Sequence, residues 1–139
     1  MVNIRVLKIG VLLAILLVGV VGCGTNETTA TSTVKLQSIQ EQYKADFEVT
    51  PAVPGVNTYK VTITDGKNQI SSGKEAVLTF EMLNMKHGKS EKVLTLKKDG
   101  TWEAEGPHIM MPGSWQASLH WTENEGQAHV FTYNFEIEN

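Results

Sequence analysis

Apart from the initiating methionine, the methionines of this chain fall into two short segments that each contain a histidine. Met85 and His87 lie in "MLNMKHG", and His108 and Met110 lie in "HIMMPG". Side chains two positions apart on an extended segment point to the same side. Each segment can therefore present one thioether and one imidazole together, and the two segments combined would supply a four-ligand S₂N₂ shell.

This combination of ligands favours copper. Thioether sulfur is soft and matches the soft Cu(I) ion, whereas zinc and the hard cations seldom use methionine. Neither ligand type requires a thiolate, which suits a chain with a single cysteine. The candidate metal ligands are Met85, His87, His108 and Met110, with Met82 and Met111 as additional candidates.

Two of the methionines also have simpler structural interpretations. Met82 continues the inward alternation of Leu78 and Phe80, which is typical of a core position, and methionine often fills gaps in cores. Met111 precedes Pro112, which favours an extended conformation. We therefore expect its side chain to point away from that of its methionine neighbour and to pack rather than to bind a metal.

The histidines have simpler interpretations too. His87 stands before Gly88 and suits a hairpin turn, whose conformations histidine tolerates. His108 follows a proline and is equally consistent with an ordinary loop residue. His120 alternates away from a tryptophan-rich face, and His129 opens the last predicted strand, so both are expected at the surface.

The elements that must position these side chains are predicted to be β-strands. Apolar and polar residues alternate with a period of two in "YKADFEVT", "TYKVTIT", "SWQASLHWT" and "HVFTYNFEIE", as in strands with one buried face. Turn sequences such as "PAVPG", "DGKN" and "DGT" separate them. About seven such strands without an amphipathic helix predict an all-β fold, an antiparallel β-sandwich. Residues 34–42 are ambiguous, because Leu36 and Ile39 also fit one helical turn.

The N-terminal segment has the pattern of an export signal. Arg5 and Lys8 precede an apolar run over residues 9–21, which is short for a membrane span of about 20 apolar residues. The run ends in "VVGC", which resembles a bacterial lipobox with cleavage before a lipidated cysteine. The sequence thus predicts a signal peptide at 1–22 and a lipid anchor, such as palmitate, on Cys23. The alternatives are an uncleaved anchor helix and an idle cysteine.

Composition bounds the rest of the chain. Residues 23–34 are mostly polar and cannot bury enough surface to fold, so we expect a flexible tether. Residues 35–139 then form one domain of ordinary size. A net charge of −3 with interspersed signs gives no basic surface for nucleic acid. The sequence contains no nucleophile elbow, phosphate-binding glycine loop or His-Glu-x-x-His motif, so we expect the protein not to be an enzyme.

Three segments resemble the YtkA-like domain family, whose members are small exported lipoproteins. They are "PGVNTYKVTITD" (54–65), "MLNMKHG" (82–88) and "HIMMPGSW" (108–115). The resemblance covers about residues 43–121. It implies an immunoglobulin-like sandwich akin to the copper-resistance domain CopC, and a role near copper or respiratory oxidases.

The family motifs also imply site residues. Met82, Met85 and His87 carry over by position, although Leu83 stands where the family usually has proline, which loosens the expected turn. The later family motif corresponds to Met111, Gly113 and Trp115.

A second, weaker similarity is to periplasmic copper chaperones. It is carried by His108 and Met110, and the chain lacks the additional upstream His-Met pair of those proteins. These observations lead to the hypothesis of a lipoprotein on the extracytoplasmic face of the cell membrane, which captures copper and hands it to a copper-accepting membrane protein. The alternative is a metal-free immunoglobulin-like interaction module at the cell envelope. The copper hypothesis requires the fold to bring both Met/His segments together.

Overall fold

The protein folds as two antiparallel β-sheets packed face to face. The computed structural model describes residues 31–86 and 88–139, so the predicted signal peptide, Cys23 and His87 lie outside the described residues. The strands are β1 (Val34–Gln40), β2 (Tyr43–Thr50), β3 (Gly55–Thr64), β4 (Gly73–Met82), β5 (Ser90–Val93), β6 (Thr95–Leu96), β7 (Trp102–Ile109), β8 (Gly113–Glu123) and β9 (Ala128–Ile137). The predicted all-β antiparallel sandwich is confirmed. Over the described ranges, no helix is long and apolar enough to cross a membrane.

The core lies between a five-stranded sheet, in the order β1-β2-β3-β7-β6, and a four-stranded sheet, in the order β5-β4-β8-β9. Burial alternates residue by residue along β2 and β9, because successive side chains of a strand point to opposite faces. The core is rich in aromatic side chains: Tyr43, Phe47, Tyr59, Phe80, Trp102, Trp115, Trp121, Phe131, Tyr133 and Phe135.

Two regions refine the prediction of about seven strands. Residues 34–40, which were ambiguous, form β1 and pair with β2 along their whole length. The segment "KVLTLKK" (92–98), which its apolar residues predict to be one strand, divides at Leu94, so that β5 pairs with β4 and β6 pairs with β7 in the other sheet. Leu94 is buried between the sheets, and its N–H donates to the carbonyl of Ala76 at 2.8 Å. The chain therefore changes sheets at this residue, and the described residues contain nine strands.

The β8–β9 hairpin places a histidine in the core. His129 is only 1% exposed, whereas His120 is exposed. The prediction that both lie at the surface is therefore wrong for His129. This residue shares the inward phase of Phe131 and pairs with Trp121 across the hairpin. Its Nε2 lies 2.5 Å from Oε1 of Glu123, and this hydrogen bond offsets the cost of burying the polar ring.

The two ends of the sandwich differ. At one end, which we call the cavity end, β4 ends at Met82, β7 ends at Ile109 and β8 begins at Gly113. Strand β1 also begins at the cavity end, because Gln40 at its far end contacts the start of β9. At the opposite end, the turn end, the β1–β2 turn lies beside the β8–β9 hairpin.

The edge strands β1 and β9 belong to different sheets and meet along one side of the sandwich. Oε1 of Gln40 accepts a hydrogen bond from the backbone N–H of Val130 at 2.8 Å. A side chain thus satisfies a backbone donor on a strand edge, where a neighbouring strand would otherwise be needed.

A buried asparagine organises the connection between β2 and β3. Oδ1 of Asn57 accepts hydrogen bonds from the N–H groups of Ala52 and Val53, at 2.8 and 3.2 Å. Its Nδ2 donates to the carbonyls of Val53 and Gly55, at 2.7 and 3.1 Å. Asn57 is 1% exposed, so these bonds are what allow its amide to be buried.

Candidate metal centre

A cavity of about 270 Å³ opens at the cavity end. It is lined by Phe80, Met82, Gly88, Ser90, Pro107, His108, Met110, Met111 and Trp115. The lining includes three thioethers and one imidazole, and it draws on both of the segments that combine methionine with histidine in the sequence. Those segments, far apart along the chain, therefore meet at one place in the fold.

Met82 is both a core residue and part of the cavity wall. It is the last residue of β4 and is 8% exposed, as its inward alternation predicts. Gly113 packs against Met82: a Cβ at position 113 would lie 2.7 Å from Cε of Met82. Gly113 also has a φ of +132°, a backbone conformation that residues other than glycine rarely adopt. The backbone conformation thus requires glycine here, and the absence of a side chain also leaves room for the end of the Met82 side chain.

Met110 and Met111 lie on the connection between β7 and β8. Their exposed fractions are 59% and 36%, and both line the cavity. We expected Met111 to turn away from Met110, but strand alternation ends with β7, and the chain bends at Met111 and Pro112. Nε1 of Trp115 donates a hydrogen bond to the carbonyl of Met111 at 3.0 Å. This bond ties the connection to Trp115, another residue of the cavity lining.

A β-bulge sets the position of His108. Gly55 of β3 pairs with Ile109, and Asn57 pairs with Gly106, so β7 has one residue more than β3 between these pairs. Such a bulge locally re-aims side chains. The imidazole of His108 stacks on Phe80, with 5.4 Å between ring centroids and 16° between ring planes. The strand irregularity and the aromatic contact together direct this ring to the cavity rather than to open solvent.

The surroundings of His108 favour its neutral form. Burial lowers the pKa of the imidazole below its ordinary value of 6.5, and the positive charge of Lys92 lowers the same pKa further. Nδ1 of His108 lies 3.4 Å from Oγ of Ser90, which is a long contact. A Cβ at Gly106 would lie 2.9 Å from Nε2, so the missing side chain makes room for the ring. At neutral pH one ring nitrogen of His108 carries a free lone pair, as a metal ligand must.

Met85 occupies a different position from the other methionines. It is 43% exposed, follows the turn that ends β4, and is not among the residues that line the cavity. That turn is held against β8, because the N–H of Leu83 donates to the carbonyl of Ser114 at 2.8 Å. His87 is outside the described residues, but its neighbour Gly88 lines the cavity. The assignment of Met85 and His87 as ligands stays a prediction.

Two residues of the cavity, Phe80 and Ser90, were not predicted as site residues. Phe80 belongs to the inward face of β4, and nothing in its sequence context distinguishes it from other core aromatics. Ser90 is a polar residue at the start of a short edge strand. Neither could be predicted from the sequence as a site residue, because the position of each in the cavity depends on how β4, β5 and β7 pack against one another.

The donor set of the cavity suits a soft ion. Across residues 31–86 and 88–139, no group of three or more His, Cys, Asp or Glu side chains could hold a metal. The described residues that line the cavity include one histidine and no cysteine, aspartate or glutamate, so the cavity does not offer the usual ligands of a zinc-type ion. Three neutral thioethers with one neutral imidazole match the preferences of Cu(I).

The comparisons with known proteins agree with this architecture. The model of the YtkA-like family matches residues 37–120, which is more than half of the chain. The chain belongs to the YtkA-like family. The matched region of this YtkA-like chain begins within β1, ends within β8 and includes every residue that lines the cavity.

Among solved structures, this YtkA-like protein is similar to a copper-bound variant of FetP from uropathogenic Escherichia coli strain F11. The TM-score is 0.52 and the sequence identity is 12%, over 76% of this chain and 97% of the other. The similarity supports the sandwich fold. No curated protein matches the sequence.

Proposed function

We propose that this YtkA-like domain binds copper as Cu(I) in the cavity at the cavity end. His108 and Met110 are the ligands that sequence and structure both favour, and Met82 and Met111 can complete the coordination. His87, next to the cavity residue Gly88, is a further candidate. The observation that carries the proposal is the meeting of three thioethers and a neutral, partly buried imidazole in one cavity.

The charge of the site favours a monovalent ion. All four donors are neutral, so they do not offset the desolvation of a divalent cation as carboxylates would. The positive charge of Lys92 acts on His108 and opposes a second positive charge on the metal more than a single one. Phe80 and Trp115 supply apolar walls, which favour soft ligands over hydration.

The similarity to FetP is a supporting argument of a weaker kind. A protein of this fold has been obtained with copper bound. Because the two sequences share only 12% identity, the comparison identifies no ligand in this chain. The ligand assignment depends on the cavity alone.

We further propose that the protein is an exported lipoprotein, anchored through Cys23 on the extracytoplasmic face of the membrane. β1 begins at the cavity end, so an anchor that precedes Val34 would attach the domain by that end. Residues 23–34 could span at most roughly 40 Å when fully extended. This arrangement suits capture of copper and its transfer to a membrane protein, without catalysis.

Anaerobic Cu(I) titration tests the proposal. The full chain carrying Cys23→Ser avoids a thiol that would compete for Cu(I), and a chromophoric Cu(I) chelator provides the competition. We expect one equivalent of Cu(I) bound more tightly than about micromolar. Weaker binding would reject the copper function and favour the metal-free interaction module.

A further inference from the structure

The turn end contains a buried histidine, His129, between two carboxylates, and these are side-chain types that can bind metals. Its ring packs against Tyr43 and Trp121, with centroid distances of 4.9 and 5.3 Å. Two carboxylates approach the ring from opposite sides, Glu123 from β8 and Glu41 from the β1–β2 turn. The copper proposal uses none of these residues.

The two ring nitrogens of His129 are in different situations. Nε2 lies 2.5 Å from Oε1 of Glu123, and this carboxylate fixes a proton on Nε2. Nδ1 is buried and has no hydrogen-bond partner among the described residues. It lies 4.0 Å from Oε2 of Glu41, which is beyond hydrogen-bonding distance. A buried nitrogen without a partner is costly, so a bound ion beside Nδ1 would stabilise this arrangement.

A carboxylate that orients a histidine through one ring nitrogen, while the other nitrogen binds a metal, is a common arrangement in metalloproteins. We propose that Nδ1 of His129 and the carboxylate of Glu41 bind a divalent ion of the zinc class, with Glu123 as the orienting carboxylate. Imidazole nitrogen and carboxylate oxygen are ligands that such ions use, together with water.

The distances are compatible with this ion. Metal–nitrogen and metal–oxygen bonds of about 2.1 Å in a tetrahedral site place the two ligand atoms about 3.4 Å apart. Glu41 would need to approach Nδ1 by roughly 0.6 Å from its present distance. Its side chain is 61% exposed and stands on a two-residue turn, so it can move and can admit the ion with its waters.

This site is separate from the copper cavity. β8 runs from Trp115, beside the cavity, to Trp121, beside His129, a rise of about 20 Å at roughly 3.3 Å per residue. The cavity offers neutral sulfur ligands, whereas the turn end offers nitrogen and anionic oxygen. The two sites should therefore select different ions, and failure of one proposal leaves the other standing.

Zinc titration of the full chain carrying Cys23→Ser, in detergent and in competition with a chromophoric chelator, tests the proposal. We expect one saturable equivalent of Zn(II), and a change in the NMR signals of the His129 ring rather than of the His108 ring. Glu41→Gln should weaken zinc binding at least about tenfold and leave Cu(I) affinity unchanged. Glu125→Gln removes an exposed carboxylate from the neighbouring β8–β9 turn and should leave zinc affinity unchanged.

Three outcomes would overturn the assignment. They are no saturable zinc binding, equal zinc affinity in Glu41→Gln and the unsubstituted chain, and an equal loss in both carboxylate variants. The first two would indicate that the approach of Glu41 to Nδ1 of His129 is a purely structural contact. The third would indicate a general effect of negative charge at the turn end.

Discussion

The imidazole of His108 stacks on the ring of Phe80, with 5.4 Å between centroids and 16° between planes. This contact joins β7 of one sheet to β4 of the other. It fixes the plane of the proposed copper-binding ring before any ion arrives, so the cost of ordering that side chain is met during folding rather than during binding.

Met110→Leu should weaken Cu(I) binding at least about tenfold, a loss of roughly 1.4 kcal/mol. Leucine has similar volume but no sulfur, and Met110 is 59% exposed, so the fold should be unaffected. Met85→Leu is the matched control, because Met85 is outside the cavity lining. Chelator competition measures both affinities. Equal affinities in Met110→Leu and the unsubstituted chain would show that Met110 is not a ligand. A large loss in Met85→Leu would show that Met85 is one.

Cu(I) affinity should be nearly constant from pH 8 down to pH 6.5 and should fall at lower pH. Because the pKa of His108 is lowered below 6.5, protons compete for this ring only under more acidic conditions. The same shift makes the metal-free fold less stable as pH falls below 6.5, since the unfolded chain then binds more protons than the folded chain.

Lys92→Gln should raise the pKa of His108, because it removes the repelling charge. The fall in Cu(I) affinity would then begin at higher pH, while affinity at pH 8 would increase. Lys89→Gln is the control, since Lys89 pairs with Glu81 at 3.1 Å and does not contribute to the shift at His108. An NMR titration of the His108 ring in both variants measures the pKa directly. An unchanged pKa in Lys92→Gln would contradict the electrostatic explanation.

Gly113→Ala should destabilise the fold and weaken Cu(I) binding. The new Cβ would lie 2.7 Å from Cε of Met82, and the side chain would be strained at a φ of +132°. Together we expect a loss of about 2–4 kcal/mol in the free energy of unfolding. Gly126→Ala separates the two causes, because Gly126 has a φ of +97° but no atom within 4 Å of the new Cβ. Urea unfolding measures both variants, and equal losses would mean that contact with Met82 contributes nothing.

Asn57→Ala should reduce the free energy of unfolding by about 2–4 kcal/mol, because it leaves buried backbone groups of the β2–β3 connection without partners. Asn134→Ala is a suitable control, since Asn134 is exposed and makes a single side-chain hydrogen bond to Gln116. Chemical denaturation of both variants gives the comparison. A loss below about 1 kcal/mol in Asn57→Ala would show that water replaces the lost bonds.

Much of the fold follows from the sequence, because residues such as Phe131 and Tyr133 alternate with more polar neighbours. The apolar face of each strand is then the one buried in the core. The change of sheet at Leu94 could not be predicted, since one apolar run is compatible with one strand or with two. The burial of His129 was missed because it requires Glu123 as a partner, and that pairing depends on the register of the hairpin.

The candidate site was predictable in its two segments and in four of its residues, Met82, His108, Met110 and Met111. Strand alternation predicts that the side chains of His108 and Met110 share a side, and both do line the cavity, although β7 contains a bulge. It misplaces Met111, which lies beyond the end of the strand, where a bend replaces the extended chain. Loop residues do not keep the periodicity of the strands that precede them.

The hydrogen bond from the N–H of Val130 to the side chain of Gln40 has a consequence for neighbouring molecules. β9 is an edge strand, and free N–H groups on such edges let sheets of separate molecules join and aggregate. At Val130 that position is already filled from within the same chain. When several molecules of this protein lie close together, a strand of one molecule therefore cannot bond to β9 of another at this residue.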